Sequence, residues 1–384
     1  MPGGFQEPND HIKKDSPTTT RESVRVLLCM AISNPGWIIH SLDVKSAFLQ
    51  GDLLKRVVLL KPPREVNTNA LWRLNKCVYG LTDASRRWYL RVDAVFKSLG
   101  MECIILDEAV YIWRHQNKVQ GIVCIHVDDF IWTGSDMFKT QVITKICDEF
   151  CISTQDDGSF KYLGLQIDQS RGRIQVDQKH YVESIEGLEI ECASRRKDEP
   201  LSCVEKAQLK AFVGKLAWAA NLTHPEIAFE TCEASVGNKL STVSDACKAN
   251  KALRKLKNSD VNVKFVPLGN LEGCKLVVYC DASYANLKGD ASQSGHIIFL
   301  VNDSGNTNVL KWQSKKISRV VKSTLAAETL ALLDAAETGY YIKRLIESFL
   351  GLNSGSIEVR CFTDNKSLVD HTCSRVHTKF LTTG

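Results

Sequence analysis

A chain of 384 residues with 44% hydrophobic and 24% charged residues has the composition of an ordinary globular protein and the length for two or three domains of roughly 100–200 residues each. It contains no apolar run of about 20 residues and does not open on a charged segment leading into an apolar one, which argues against a membrane span and a signal peptide. The net charge of +5 is modest and the 14 cysteines are scattered, with no Cys-x-x-Cys pair and no histidines in a ligand pattern near Cys147 and Cys151, so neither a disulfide framework nor a structural zinc is expected.

In chain order, residues 1–20 are polar and turn-rich, and Arg21 to Asn34 is a predicted amphipathic helix. The apolar run from Gly36 leads into Ser41–Asp52 (SLDVKSAFLQGD), with Asp43 after that run and a turn signal at Gly51 and Asp52. Leu71–Tyr89 (LWRLNKCVYGLTDASRRWY) reads as a strand followed by a helix rich in aromatics and arginine. Gly121–Gly134 (GIVCIHVDDFIWTG) is a predicted hairpin with Asp128 and Asp129 at its tip. Two carboxylates held that close call for a proton or a divalent metal. On these residues alone, an exposed Asp-Asp turn is the plainer reading. Phe160–Ile167 (FKYLGLQI) signals a further strand pair.

Arg195–Pro200 reads as a linker, and helices are predicted to dominate up to about residue 258. From Cys192 to Lys275, fourteen Lys or Arg stand against nine Asp or Glu, a surplus equal to that of the whole chain. Within it, Cys247–Lys257 reads as a helix with Ala249, Leu253 and Leu256 on one face and Lys248, Lys251 and Lys255 on another. A basic stripe of this kind fits phosphate contacts along a duplex, and equally a solvated face. After Gly273 come predicted strands at Lys275 to Cys280, His296 to Val301 and Val309 to Gln313, a long helix from Thr324 to Leu350 and a strand from Ile357 to Thr363. Asp281 and Asp364 fall at strand ends. Glu328 falls in the first turns of the long helix, where the dipole favours an acid in any case.

Read as a set, SLDVKSAFLQGD, VYGLTDASRRW, HVDD and YLGLQI resemble the motifs D-V-K-x-A-F-L-x-G, Y-G-L-K-Q-A-P-R-x-W, Y-V-D-D and Y-L-G-x-x-I of the reverse transcriptase of copia-type LTR retrotransposons, in the same order. Val277–Ala285 (VVYCDASYA), Lys311–Lys316 (KWQSKK), Ser323–Leu332 (STLAAETLAL) and Cys361–Ser367 (CFTDNKS) resemble the ribonuclease H domain that follows it in that family. Leu209–Trp218 and Thr223–Ala228 resemble the helical segment between the two. The resemblance implies an α+β and α/β protein: a polymerase palm with partial fingers over 1–175, a largely helical thumb or connection over 176–270, and a ribonuclease H-like α/β domain over 271–384.

It also implies chemistry. Asp43 and Asp128 match the family's principal metal ligands and Asp129 its third carboxylate, for nucleotidyl transfer by a two-metal route, with Mg²⁺ expected and Mn²⁺ as a substitute. Phe48 matches the aromatic that crowds the sugar 2′ position, with a core phenylalanine as the competing reading. Tyr79 and Gly80 match residues lining the incoming nucleotide. Lys161, Tyr162, Leu163 and Gly164 match the segment that grips the primer, and Lys248, Lys251 and Lys255 are the candidate duplex contacts. Asp281, Glu328 and Asp364 match three of four ribonuclease H carboxylates. The implied partners are an RNA template, a DNA primer, an RNA–DNA hybrid and deoxynucleoside triphosphates, with no membrane and an open oligomeric state. The implied setting is intracellular, cytoplasmic or nuclear, not secreted.

Three residues depart from the family pattern: His126 opens the HVDD motif, and Asp83 and Ser85 replace Gln and Pro, Asp83 adding a carboxylate near an incoming triphosphate. The segment Gly3–Glu7 resembles only the tail of the basic fingers, and Arg375–Gly384 contains no acid to serve as the fourth ribonuclease H ligand, Asp370 being the nearest candidate. The chain is therefore expected to be truncated at both ends and weakly active or inactive. A catalytically silent nucleic-acid-binding remnant, and a gene fragment that does not fold stably, are the rival readings.

Overall fold

The structure is a computed structural model that describes residues 13–63, 65, 66, 70–190, 195–235, 241–373, 381 and 382. The segment Gly3–Glu7 and, apart from Leu381 and Thr382, the stretch 375–384 lie outside the described residues. The chain divides into two compact units, one made of Met1–Ala31, Pro35–Phe160 and Ser348–Gly351, the other of Ile32–Asn34, Lys161–Glu347 and Leu352–Gly384. Among the described residues no helix is long and apolar enough to cross a membrane.

The first unit opens with α1 (Arg21–Ser33), β1 (Ile38–Val44), α2 (Ala47–Gln50), the short ribbon β2 (Leu59–Leu60) and β3 (Trp72–Arg73), and α3 (Ala84–Ser98). It continues through β4 (Met101–Ile104), β5 (Asp107–His115), β6 (Lys118–His126) and β7 (Asp129–Gly134). A helical stretch then comprises α4 (Asp136–Phe138), a π-helical turn and α5 (Thr144–Glu149), before β8 (Ile152–Asp157). Six strands form one antiparallel sheet in the order β4-β5-β6-β7-β1-β8. Helix α3 buries Trp88, Val92, Val95 and Phe96, the spacing of a helical apolar stripe. They join Tyr111, Trp113, Phe130 and Trp132 of the sheet in one core. Gly121 and Gly134 face each other across the base of the β6–β7 hairpin. A Cβ at Gly121 would fall 2.0 Å from the Phe138 ring, so the glycines create the socket that Phe138 fills.

The carboxylate of Asp107, buried at the start of β5, accepts from the Thr20 amide at 2.8 Å and the Ser23 hydroxyl at 2.6 Å through one oxygen and from the Ala109 amide at 3.2 Å through the other. A strand residue thus caps the first turn of α1, where amides lack helical partners. Asp107→Ala leaves those donors buried and is expected to lower stability by about 3 kcal/mol; urea unfolding measures it, and a loss below about 1 kcal/mol would show the cap to be dispensable.

The unit boundary falls within β9 (Ser159–Tyr162), which is followed by β10 (Leu165–Ser170), β11 (Arg173–Asp177), α6 (Lys179–Ser184), α7 (Cys203–Leu222), α8 (Ala228–Ser235), α9 (Val243–Lys257) and β12 (Val263–Phe265). The helices share a core that includes Leu209, Phe212, Leu216, Ala249, Leu253 and Leu256. Between them, β12 pairs with β11 to complete a four-stranded sheet, β12-β11-β10-β9. A three-residue strand carries too little periodicity to be seen in sequence, and its partner is far away along the chain.

The remainder of the second unit is β13 (Lys275–Leu287), β14 (Ala291–Val301), β15 (Thr307–Lys316), α10 (Thr324–Leu350), β16 (Glu358–Thr363), α11 (Lys366–Cys373) and β17 (Leu381–Thr382). Its sheet has the order β15-β14-β13-β16-β17, antiparallel on the first three strands and parallel beyond. β13 runs past Asp281 to Leu287, with a bulge between Ser283 and Leu287 and Ala285 at φ 52°. Asp281 is therefore inside a long hairpin, not at the end of a strand.

Candidate functional site

Main-chain pairing brings Asp43, Asp128 and Asp129 to one end of the β1–β7 pair, although among the described residues their ligand atoms do not all lie within 4.8 Å of one another. Antiparallel β1 and β7 set Asp43 opposite Asp129, and the Asp128 carbonyl accepts from the Val44 amide at 3.0 Å. The β6–β7 reversal turns on Val127 and Asp128, since His126 already pairs with Asp129. Val127 stands at φ 59°, a costly conformation for a β-branched residue. The buried Trp88 indole donates to the Val127 carbonyl at 2.7 Å and holds the turn in place.

Burial, then the charges of Asp128 and Asp43, push the Asp129 carboxyl up to about 6. Asp128 accepts from the Tyr79 hydroxyl at 3.0 Å, and the Ser153 hydroxyl on β8 lies against the Asp43 carboxylate and, at 2.9 Å, its carbonyl. Nothing in the sequence singles out Ser153, because only the β1–β8 register brings it here. The ring at His126 is held below the usual histidine range, by burial first and against the charge of Asp128.

Asp83 does not stand as a free negative charge near this site. Its buried carboxylate meets Arg56 at 2.5 Å and Arg87 at 2.6 Å. Burial raises its acid, but the hydrogen bonds from Arg87 and Arg56 outweigh that and hold it below the usual range. Two guanidiniums on one carboxylate leave the local sum positive.

Phe48 on α2 is 6% exposed and belongs to the core of its unit. Tyr79 and Gly80 are the central residues of a turn closed by the Leu81 amide and the Val78 carbonyl at 3.3 Å. In the second unit, Lys161 and Tyr162 end β9, and Leu163 and Gly164, at φ 48° and 78°, form the reversal into β10. Two consecutive positive φ values are those of a tight two-residue hairpin turn.

On α9, Lys248 pairs with Glu233 and Lys255 with Glu230, each at 2.6 Å. Lys251 has no such ion pair among the described residues. The stripe of three lysines expected from sequence is partly neutralised by α8.

The second carboxylate group is Asp281, Glu328 and Asp364, whose ligand atoms all lie within 4.8 Å of one another. Parallel pairing of β13 with β16 runs to Tyr279 opposite Phe362, and Asp281 and Asp364 each stand two residues beyond. Glu328, 5% exposed near the start of α10, brings a buried carboxylate oxygen with no hydrogen-bond partner. Burial, then Asp281 and Asp364, push its carboxyl up to about 7, and burial and Asp364 raise Asp281. Three carboxylates around an unsatisfied buried oxygen suit a hard divalent cation. Asp370, on α11, is not a member of the group.

The family model described as reverse transcriptase (RNA-dependent DNA polymerase) matches residues 2–193. The chain is 24% identical over 354 residues to the retrovirus-related Pol polyprotein from transposon RE1 of Arabidopsis thaliana, covering 88% of this chain and 23% of that protein. It is 28% identical over 393 residues to the one from transposon TNT 1-94 of Nicotiana tabacum, covering 92% and 28%. The chain thus spans about a quarter of the length of the curated relatives it matches. Among solved structures, a foamy viral protease-reverse transcriptase in complex with RNA/DNA hybrid superposes with a TM-score of 0.53 at 12% identity, over 92% of this chain and 41% of that one. At that identity the likeness is one of fold, an α+β polymerase with a ribonuclease H-like domain. Motif order, fold and the match over residues 2–193 agree: the chain, similar to retrotransposon Pol polyproteins over most of its length, belongs to the reverse transcriptase (RNA-dependent DNA polymerase) family.

Proposed function

We propose that this chain carries an RNA-directed DNA polymerase centre at Asp43, Asp128 and Asp129 and a ribonuclease H centre at Asp281, Glu328 and Asp364. The domains are 1–175, 176–270 and 271–384, and the substrates are an RNA template with a DNA primer, deoxynucleoside triphosphates and the RNA–DNA hybrid. The observation that carries the reading is the pairing of Asp43 with Asp129 beside Asp128 at a rigid hairpin tip, within the segment that matches the family. Each carboxylate trio would hold Mg²⁺, with Mn²⁺ as a substitute; when bound, such ions stabilise the attacking and leaving oxygens of an in-line displacement at phosphorus. The chain's own part is to fix the acids. Trp88 pins the hairpin turn, Ser153 holds Asp43, and the carboxylates forced together are relieved by a cation instead of a proton.

The test is extension of a labelled DNA primer on an RNA template by the full chain with Mg²⁺ and deoxynucleotides. Weak extension is the expected result. Binding without extension would favour a silent nucleic-acid-binding remnant, and absence of binding would remove both readings.

Duplex contacts by α9 make a separate expectation. Each phosphate contact releases counterions, so Lys251→Gln should weaken template–primer binding and lower the salt slope by about one. Lys248→Gln and Lys255→Gln should do less, because their partners Glu233 and Glu230 already hold them. Titrations at several salt concentrations decide this, and an unchanged slope for Lys251→Gln would make the lysine face a solvated one.

A further inference from the structure

We infer that Asp83 is an internal anion seated in a two-guanidinium site of the kind that takes a phosphate group, and that by filling this site it fastens the arm carrying β2 and β3 to helix α3. The inference does not rest on the polymerase reading. The motif that this segment resembles has an uncharged Gln where Asp83 stands, so the charge belongs to this chain.

The contacts define the site. Arg56 donates through Nη2 to one carboxylate oxygen of Asp83 at 2.5 Å, and Arg87 donates through Nε to the other at 2.6 Å. Each oxygen thus has its own guanidinium, a group whose planar fork suits phosphate as well as carboxylate. Asp83 stands at the N-cap of α3, where an aspartate usually accepts from an amide of the first turn, yet its side chain makes no such bond. The carboxylate is committed to the arginines instead of to its own helix. The Asp83 side chain is buried while both arginines are partly exposed, so the acid is the inner member and the guanidiniums are what an anion in solution would meet.

The two arginines differ in what they hold. Arg87 is one turn along the same helix, and its bond to Asp83 is internal to α3. Arg56 comes from the arm. That arm closes on itself, with the Leu54 amide donating to the Asn75 carbonyl at 2.8 Å, the Leu74 amide to the Val58 carbonyl at 2.9 Å, and β2 pairing with β3. Val57, Leu59, Leu71 and Trp72 on it are exposed, and a two-stranded ribbon of this size is not stable alone. With little apolar burial from these side chains, the Arg56–Asp83 contact carries a correspondingly larger part of the arm's attachment. Without the acid, two like charges face each other across an empty seat and repel, and Arg56 is free to leave with the arm. A phosphate that enters the seat draws the two guanidiniums together again.

Hydrogen exchange of the full chain, read by mass spectrometry for the arm and for β5 to β7, tests this, with thermal unfolding as the control for folding. In chloride, Asp83→Asn should make the arm amides exchange about tenfold faster or more, with β5 to β7 unchanged. Inorganic phosphate in place of chloride, at equal ionic strength, should return most of that protection. It should leave the unaltered chain as it is, because Asp83 already fills the seat, and do nothing for Asp83→Asn combined with Arg56→Gln. Arg56→Gln alone, at a partly exposed position, should loosen the arm as much without rescue, and it stands in for Asp83→Asn if that variant does not fold. Unchanged arm exchange in these variants would show that the contact fastens nothing. No phosphate effect in Asp83→Asn, or one of equal size in the unaltered chain, would show that there is no anion seat. Polymerisation is not read in any arm of the experiment, so each of these outcomes leaves the polymerase reading where it stands.

Discussion

Asp128→Asn is expected to reduce primer extension by the full chain by at least about 10³-fold, some 4 kcal/mol of transition-state stabilisation, while template–primer binding persists. The amide keeps the size and the hydrogen bond from Tyr79 but not the charge. The main-chain contacts that build the hairpin tip, from Val44 to the Asp128 carbonyl and from Trp88 to Val127, do not involve the altered group, so the fold should survive. Single-turnover extension, with thermal unfolding as the control, measures the effect. A loss smaller than about tenfold would take Asp128 out of the catalytic set and leave the hairpin as an exposed Asp-Asp turn.

The second large effect concerns the Asp281, Glu328 and Asp364 group and has a defined sign. The Glu328 carboxyl stands at about 7 in the folded protein against an ordinary 4.5, so the folded state holds this proton more tightly than the unfolded chain. That contribution to stability is complete below about pH 4.5 and is lost as pH rises through about 7. At pH 8 the metal-free protein therefore carries an uncompensated cost on the order of 3 kcal/mol, from burial of the ionised carboxylate first and from the charges of Asp281 and Asp364 second. Glu328→Gln should stabilise the metal-free protein by about that amount at pH 8 and by less than about 1 kcal/mol at pH 5. Because metal ligation needs ionised carboxylates, Mg²⁺ should raise the melting temperature of the unaltered chain at pH 8 more than at pH 5, and should raise that of the variant by less, since the variant keeps only the Asp43, Asp128 and Asp129 group intact. Unfolding of the full chain with and without MgCl₂ at the two pH values tests this. Equal stability at both, with indifference to Mg²⁺, would show that the three acids are a tolerated cluster and not a cation site.

Much of this was legible along the chain because it is local. The hairpin of Gly121–Gly134, the helix α1 and the limits of α10 at Thr324 and Leu350 follow from the alternation of β-branched residues and from helical apolar spacing, which act within a few residues of one another. The candidate acids were legible too, as an ordered set of motifs. What those acids meet was not. That Asp43 lies opposite Asp129 depends on the register of β1 against β7, a pairing between distant segments. Asp83 looks like an unwanted charge in its motif, yet Arg56, from another segment, joins Arg87 to neutralise it. Lys248 and Lys255 read as free cations on the helical wheel of α9 until α8 supplies Glu233 and Glu230. Phe48 is buried and Tyr79 half exposed because burial is a property of the packed unit and not of the motif. The sequence by itself determined which groups are present and in what order, since helices, turns and motifs are set by near neighbours. Only the tertiary structure decided which charges are compensated, which acids lie close together and which aromatic rings are buried, because register, ion pairing and desolvation are settled between segments far apart in the chain.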